Sequence, residues 1–171
     1  MMYITITPSP VGEITLASDG ENLTGLWLAG QKYFGAGLPA DHKKSTVQTK
    51  DDLPLFITVR DWLTRYFNCE NPPAKTLPLA PAGSPFRQKA WQALLDIPYG
   101  TTTTYSLLGR QIGCTAARAV GGAVGHNPIS IIIPCHRVVG ANGKLTGYAG
   151  GVEVKQKLLV LESSGSQSAT H

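Results

Sequence analysis

Apolar and polar positions alternate in three short runs near the start of the chain: Tyr3-Ile4-Thr5-Ile6, Glu13-Ile14-Thr15-Leu16-Ala17 and Leu23-Thr24-Gly25-Leu26-Trp27-Leu28. Alternation of this kind turns one face of each segment toward a core. Turn-forming residues at 8–12 and 18–22 separate the runs, so the pattern predicts an antiparallel meander of three strands. Residues 29–52 are irregular and polar. The period then changes. Leu55, Phe56, Val59, Trp62, Leu63, Tyr66 and Phe67 recur at helical spacing and predict a helix whose apolar face covers the sheet. Five prolines in residues 71–85 deny that stretch regular structure and mark it as the link between two halves.

The second half reads as helical. Ser84-Pro85 is a helix start, with serine as N-cap and proline in the first turn. The helix carries Phe86, Ala90, Trp91, Leu94 and Leu95 and stops at Pro98-Tyr99-Gly100. Thr104 can cap a short helix bearing Tyr105, Leu107, Leu108 and Ile112. Gly113-Cys114 breaks it, and Thr115 can cap the next, over residues 116–124. Two short helices joined at a glycine form a helix-turn-helix candidate. The second is built almost entirely of small residues, with Arg118 its one long charged side chain. Tight helix packing and entry into a narrow groove both suit such a surface. Asn127-Pro128 ends this helix, and the β-branched residues 129–133 predict a buried strand running up to Cys135. Asn142-Gly143 suits a type I′ turn. Residues 146–151 form a flexible loop with one aromatic, Tyr148. A last helix carries Val154, Leu158, Leu159 and Leu161 and ends near Glu162, leaving a frayed tail.

Composition narrows the class. Hydrophobic residues make up 42% of the 171, enough for a real core. No apolar run approaches a membrane span, and the first residues do not resemble a signal peptide, so a cytoplasmic protein is expected. Three widely spaced cysteines argue against a disulfide framework and for a reducing compartment. No Cys/His spacing supports zinc, so no metal or other cofactor is expected. Charge is lopsided within the net +4. Residues 1–83 hold seven Lys/Arg and eight Asp/Glu, whereas residues 84–171 hold eight Lys/Arg against Asp96, Glu153 and Glu162. A basic half suits a polyanion such as nucleic acid, and equally a simple solubility setting.

Candidate chemistry concentrates at Cys135-His136. A thiolate is a strong nucleophile, and a neighbouring base is what makes a cysteine reactive. Taken alone, the pair reads more simply as an inert buried cysteine.

Its surroundings reverse that reading. Pro134-Cys135-His136-Arg137-Val138 closely resembles the active-site motif of the O6-alkylguanine-DNA alkyltransferases. The likeness extends through Arg118-Ala119-Val120-Gly121-Gly122-Ala123, Asn127-Pro128, Gly147-Tyr148-Ala149-Gly150-Gly151, Lys155 and Glu162, in the family's order. It is strong from Ser84 to Glu162 and weaker over residues 1–82, where only Pro10-Val11-Gly12 and the strand pattern agree.

The resemblance implies an α+β protein of two domains: a small antiparallel sheet plus helix (ribonuclease H-like, residues 1–82) and a helical winged helix-turn-helix domain (83–165). Residues 166–171 would be a disordered tail. It implies single-use, irreversible transfer of an alkyl group from O6 of guanine in double-stranded DNA to Cys135 of a monomer, and leaves open whether O4-alkylthymine is also a substrate. His136 would take the thiol proton through a water, Glu162 would steady His136, Asn127 would brace the turn, and Tyr105 would supply or relay a proton to the guanine. Thr115, Ala117, Ala119, Gly121 and Gly122 would meet the minor groove, with Arg118 replacing the flipped base. Val138, Tyr148, Ala149, Gly150 and Ser130 would shape the base pocket. Two departures stand out. Ala149 replaces a serine common in relatives, and the Tyr105–Arg118 interval is one residue short, at Gly113-Cys114-Thr115. A damage-sensing protein of the same fold that only binds lesions would lack Cys135.

Overall fold

The computed structural model describes residues 1–36, 38, 47–145, 148 and 151–169, with side chains as far as Ser164. The three alternating segments form β1 (Met2–Thr7), β2 (Ile14–Ser18) and β3 (Leu23–Leu28), paired antiparallel as expected. A fourth strand, β4 (Val47–Thr49), falls in the stretch expected to be irregular. It adds to β1 in parallel, so the sheet is mixed, in the order β3-β2-β1-β4. Helix α1 (Pro54–Phe67) buries Leu55, Phe56, Val59, Trp62, Leu63 and Tyr66, the face its periodicity predicts. Each fully buried large apolar side chain on such a face contributes about 2 kcal/mol.

The proline-rich link is more ordered than its composition suggests. Leu23 donates to Pro78 O at 2.8 Å, and Ala80 donates back to Leu23 O at 2.8 Å. The link thus lies against the open edge of β3 and satisfies the backbone groups that an edge strand leaves bare. The same edge receives the second half of the chain: Leu26 donates to Pro128 O at 2.8 Å and accepts from Ser130 N at 3.0 Å.

Helix α2 (Pro85–Leu95) starts as read, with Ser84 Oγ accepting from Arg87 N. The short β5 (Thr103–Thr104) leads into α3 (Tyr105–Gln111), whose first turn is capped by Thr104 Oγ1 accepting from Leu107 N. The turn to α4 (Ala117–Gly125) closes through Cys114 N donating to Gly109 O at 2.8 Å. A Cβ at Gly109 would strike the Cys114 carbonyl, and Gly113 has φ +73°, so both glycines are required there. Thr115 does not cap α4; the N-cap is Ala116, with no side-chain hydrogen bond. The chain leaves the αL residue Gly113 already directed into α4, which puts Thr115 one position too early.

The expected strand at 129–133 is absent. Only Ile129 bridges to Leu26. Beyond it the chain coils through a turn in which Ile131 takes φ +70°, and Cys135 opens one turn of 3₁₀ helix, Cys135–Arg137. The apolar run is nonetheless buried, as the reading requires: Ile131, Ile132 and Ile133 are all within 2% of full burial. β6 (Val138–Val139) then pairs in parallel with β5, flanking the helix-turn-helix. The Asn142-Gly143 turn forms as expected, with φ values of +62° and +74° and Gly140 N donating to Lys144 O at 2.7 Å. Helix α5 (Val152–Ala169) continues past the expected end near Glu162, so residues 166–169 of the expected tail are helical. Residues 170–171 lie outside the described residues. One apolar core runs from Ile14 to Leu158 and draws on both halves.

Candidate active site

Cys135 is 4% exposed, at the start of its 3₁₀ turn. Asn127 holds the loop that leads to it. Its Nδ2 donates to Ile133 O at 2.8 Å, and its Oδ1 accepts from Ile129 N at 3.0 Å. Backbone groups that a strand would have paired are thus paired by one buried side chain. Burial pushes the Cys135 thiol up to about 11. The Asn127 side chain, the Lys155 ammonium and the N–H groups of Cys135 and His136 pull the other way and lose. The resting group is therefore a thiol, and it becomes a nucleophile only when a base takes its proton.

His136 can be that base. It is fully buried, and burial lowers its pKa despite the opposing pull of Glu162. Its Nε2 lies 2.6 Å from Glu162 Oε2, and its Nδ1 is buried without a hydrogen-bond partner among the described residues. An ionised carboxylate only accepts, so Nε2 carries the proton and Nδ1 keeps a free lone pair.

Glu162 is held by four residues from three parts of the chain. Tyr66 Oη donates to Oε2 at 2.5 Å, Arg137 Nε to Oε1 at 2.7 Å, Arg137 Nη2 to Oε2 at 3.1 Å and Gly100 N to Oε1 at 3.5 Å, alongside His136. Burial alone would raise the carboxyl, but the bonds and charges of His136 and Arg137 overcome it and hold the group down at about 2. Arg137 is itself anchored by Nη1 donating to Ile97 O at 2.7 Å.

The other expected residues that the structure describes fall as follows. Tyr105, at the start of α3, has the Lys155 ammonium 5.9 Å above its ring. It lines a cleft of about 500 Å³ together with Arg110, Cys114, Thr115, Ala117 and Ala141. Arg118 and Ala119 are exposed on α4. At Gly121, Gly122 and Gly125 an added Cβ would meet nothing within 4 Å beyond the helix's own backbone, so among the described residues no other helix packs against that surface. The small residues of α4 leave room for something outside the chain.

A second cleft, of about 410 Å³, joins Gly121, Gly122 and His126 to Tyr148. Tyr148 is 9% exposed, and its hydroxyl finds no partner of hydrogen-bond geometry among the described residues. Burial pushes this phenol well above its usual value, Cys135 adds to the push, and the Ser130 hydroxyl opposes it. Ser130 Oγ donates to Gln31 Oε1 at 3.0 Å. Val138 spends its N–H on the Cys135 carbonyl, and its side chain is core. Ala149 and Gly150 lie outside the described residues.

Three residues of this site carry no role in the sequence reading. Arg137 was only part of a motif, Tyr66 only an apolar helix position, and Lys155 only a matching letter. Lys155, now fully buried with its charge felt at Cys135, had one usable signal: a lysine at a position where α5 periodicity turns inward.

Fold and site together define a protein of a sheet-bearing half and a helix-turn-helix half, built around one buried thiol beside a buried histidine. The family profile of the 6-O-methylguanine DNA methyltransferase ribonuclease-like domain matches residues 2–81, and that of its DNA binding domain matches residues 85–164. The chain belongs to the 6-O-methylguanine DNA methyltransferase family. It is 48% identical to the methylated-DNA–protein-cysteine methyltransferase of Haemophilus influenzae over 162 residues, covering 94% of this chain and 86% of the relative. Identity to the protein of the same name from Mycobacterium tuberculosis is 44% over 165 residues, 96% of this chain and 94% of the relative. The crystal structure of M. tuberculosis OGT in complex with DNA superposes with a TM-score of 0.82 at 43% identity, covering 95% of this chain and 94% of that one. Among the described residues no helix is long and apolar enough to cross a membrane, and no group of three or more His, Cys, Asp or Glu could hold a metal ion.

Proposed function

We propose that this chain repairs alkylated DNA by moving the alkyl group from O6 of guanine onto Cys135 Sγ, once per molecule. The observation that carries the reading is the buried Cys135 beside a neutral His136 whose Nε2 is occupied by Glu162 and whose Nδ1 is open. The thiol proton passes to Nδ1, through the bridging water that the family resemblance implies. The S–C bond forms as the C–O6 bond breaks, and the electron pair stays on the guanine. The leaving base takes up a proton, with Tyr105 as its donor or relay, and His136 returns the balance, so the thiol proton ends on guanine.

Access follows from α4. The open glycine surface at Gly121 and Gly122, continued by Thr115, Ala117 and Ala119, fits a helix laid close into the minor groove. Arg118, exposed on that helix, fills the stack when the alkylated guanine turns out into the pocket bounded by Tyr148, Ser130 and Val138. Flipping the base takes roughly a few kcal/mol, less for a damaged pair. The protein acts as a monomer in the cytoplasm, where its three free cysteines stay reduced.

The test is the intact mass of the protein after incubation with a duplex containing O6-methylguanine. The expected result is a gain of one methyl per molecule, absent in Cys135→Ala. No gain, or repair of more than one lesion per protein, overturns the reading.

A further inference from the structure

One contact reaches the reacting groups from the N-terminal domain. Tyr66, on the buried face of α1, donates to Glu162 Oε2 at 2.5 Å, and the same oxygen accepts from His136 Nε2 at 2.6 Å. The two partners stand 96 residues apart in the chain. We propose that Tyr66 is a positioning residue for alkyl transfer: its hydroxyl sets where Glu162 stands and how strongly that carboxylate draws on His136. The proposal rests on the roles given above to Cys135, His136 and Glu162, and goes beyond them by making the N-terminal domain part of the reacting centre.

The surroundings of Tyr66 suit the task. Its ring stacks on Trp62 at 5.5 Å and 8°, and meets Phe67 and Tyr99 edge-on at 5.2 and 6.3 Å. Three aromatic neighbours leave the hydroxyl little freedom to wander. Burial, followed by the charge of Glu162, drives the phenol far above its ordinary range, so the hydroxyl stays a donor throughout the reaction. Three donors then share Oε2: Tyr66, His136 and Arg137 Nη2. Each draws charge from the oxygen, so each lessens what the others receive.

Removing the Tyr66 hydroxyl leaves more negative charge facing His136 Nε2–H. That favours the imidazolium form, and an imidazolium cannot accept the thiol proton. The charged and titratable groups facing this pair are Cys135 and Arg137 from the 3₁₀ turn, Lys155 from α5, Tyr99 from the loop after α2, and Tyr148. None of these offers a hydroxyl to Glu162 Oε2 in place of Tyr66 among the described contacts.

Single-turnover methyl transfer from an O6-methylguanine duplex is followed for wild type, Tyr66→Phe and Trp62→Phe from about pH 5 to about pH 9, a range that brackets ordinary histidine titration. Duplex affinity is measured alongside. Tyr66→Phe is expected to react about tenfold more slowly near neutrality, the equivalent of one hydrogen bond to a charged group. Its rate should climb with pH later than wild type, with duplex affinity unchanged. Trp62→Phe loosens the same helix face without touching Glu162, and should lower thermal stability while leaving the position of the climb unchanged. A wild-type rate in Tyr66→Phe, an equal slowing at every pH, or the same displacement in Trp62→Phe overturns the proposal. If wild type itself takes up no methyl, the functional reading fails instead.

Discussion

His136 Nε2 lies 2.6 Å from Glu162 Oε2, and both residues are buried to within 1% of full burial. The bond fixes the tautomer of the neutral imidazole, and it also ties stability to pH. The Glu162 carboxyl is held near 2 against an ordinary 4.5, so its contribution is whole above 4.5 and is lost as pH falls toward 2. His136 is lowered from 6.5 by burial, so the unfolded chain takes up that proton first and stability starts to fall below about 6.5.

The urea midpoint should therefore decline below about pH 6.5 and steepen below about pH 4.5, with Glu162 contributing about 3 kcal/mol to the lower step. Glu162→Gln should remove that lower step. It should also be less stable at neutral pH by about 3–5 kcal/mol, because Arg137 is left buried and unpaired. A midpoint that stays level between pH 7 and 3 contradicts this account.

Asn127→Ala deletes two buried hydrogen bonds at once, to Ile133 O and from Ile129 N. The expected loss is about 2–3 kcal/mol, read as a fall in Tm. Transfer should slow as well, because the loop carrying Cys135 loses its brace. An unchanged Tm would show that the loop holds itself.

Arg118→Ala separates flipping from chemistry. Arg118 is exposed on α4, whereas the thiol is buried. Repair of O6-methylguanine within a duplex should fall by more than tenfold, a share of the flipping energy. Reaction with a free O6-alkylguanine base should stay near wild type. Equal losses on both substrates would remove Arg118 from base replacement.

Gly121→Ala and Gly122→Ala set stability against binding. Among the described residues, and apart from the helix's own local backbone, nothing lies within 4 Å of an added Cβ at either position. Each substitution should therefore raise stability by up to about 1 kcal/mol, as for a glycine in an exposed helix. Duplex affinity should fall, since the added methyl stands between helix and groove. Gains in both quantities would mean that this surface does not face DNA.

Much of this was readable from residue pattern alone. The meander, α1, the Ser84 and Thr104 caps and the Asn142-Gly143 turn each follow from local chemistry that tertiary context did not override. The misreadings have physical causes. Ile131-Ile132-Ile133 looked like a strand because β-branched residues favour sheets, but that preference depends on a neighbour to pair with. Here one buried asparagine supplies the pairing, and Ile131 takes an αL conformation that an isoleucine rarely adopts. β4 escaped notice because three residues with a single apolar side chain leave no period to detect. Tyr66 fitted the apolar face of α1 so well that its hydroxyl went unread. A tyrosine can be core by its ring and donor by its tip, and nothing local names a carboxylate far along the chain.

The β3 edge joins the two halves more firmly than a linker would. Backbone bonds run from Leu23 to residues 78 and 80 and from Leu26 to residues 128 and 130, and Ser130 reaches across to Gln31. Domains sewn together along a strand do not gape. Under the proposed function, the thiol would not be brought out to meet a lesion by opening the protein like a jaw. The distortion needed for contact would then fall on the double helix, which gives way most readily where a pair is already weakened.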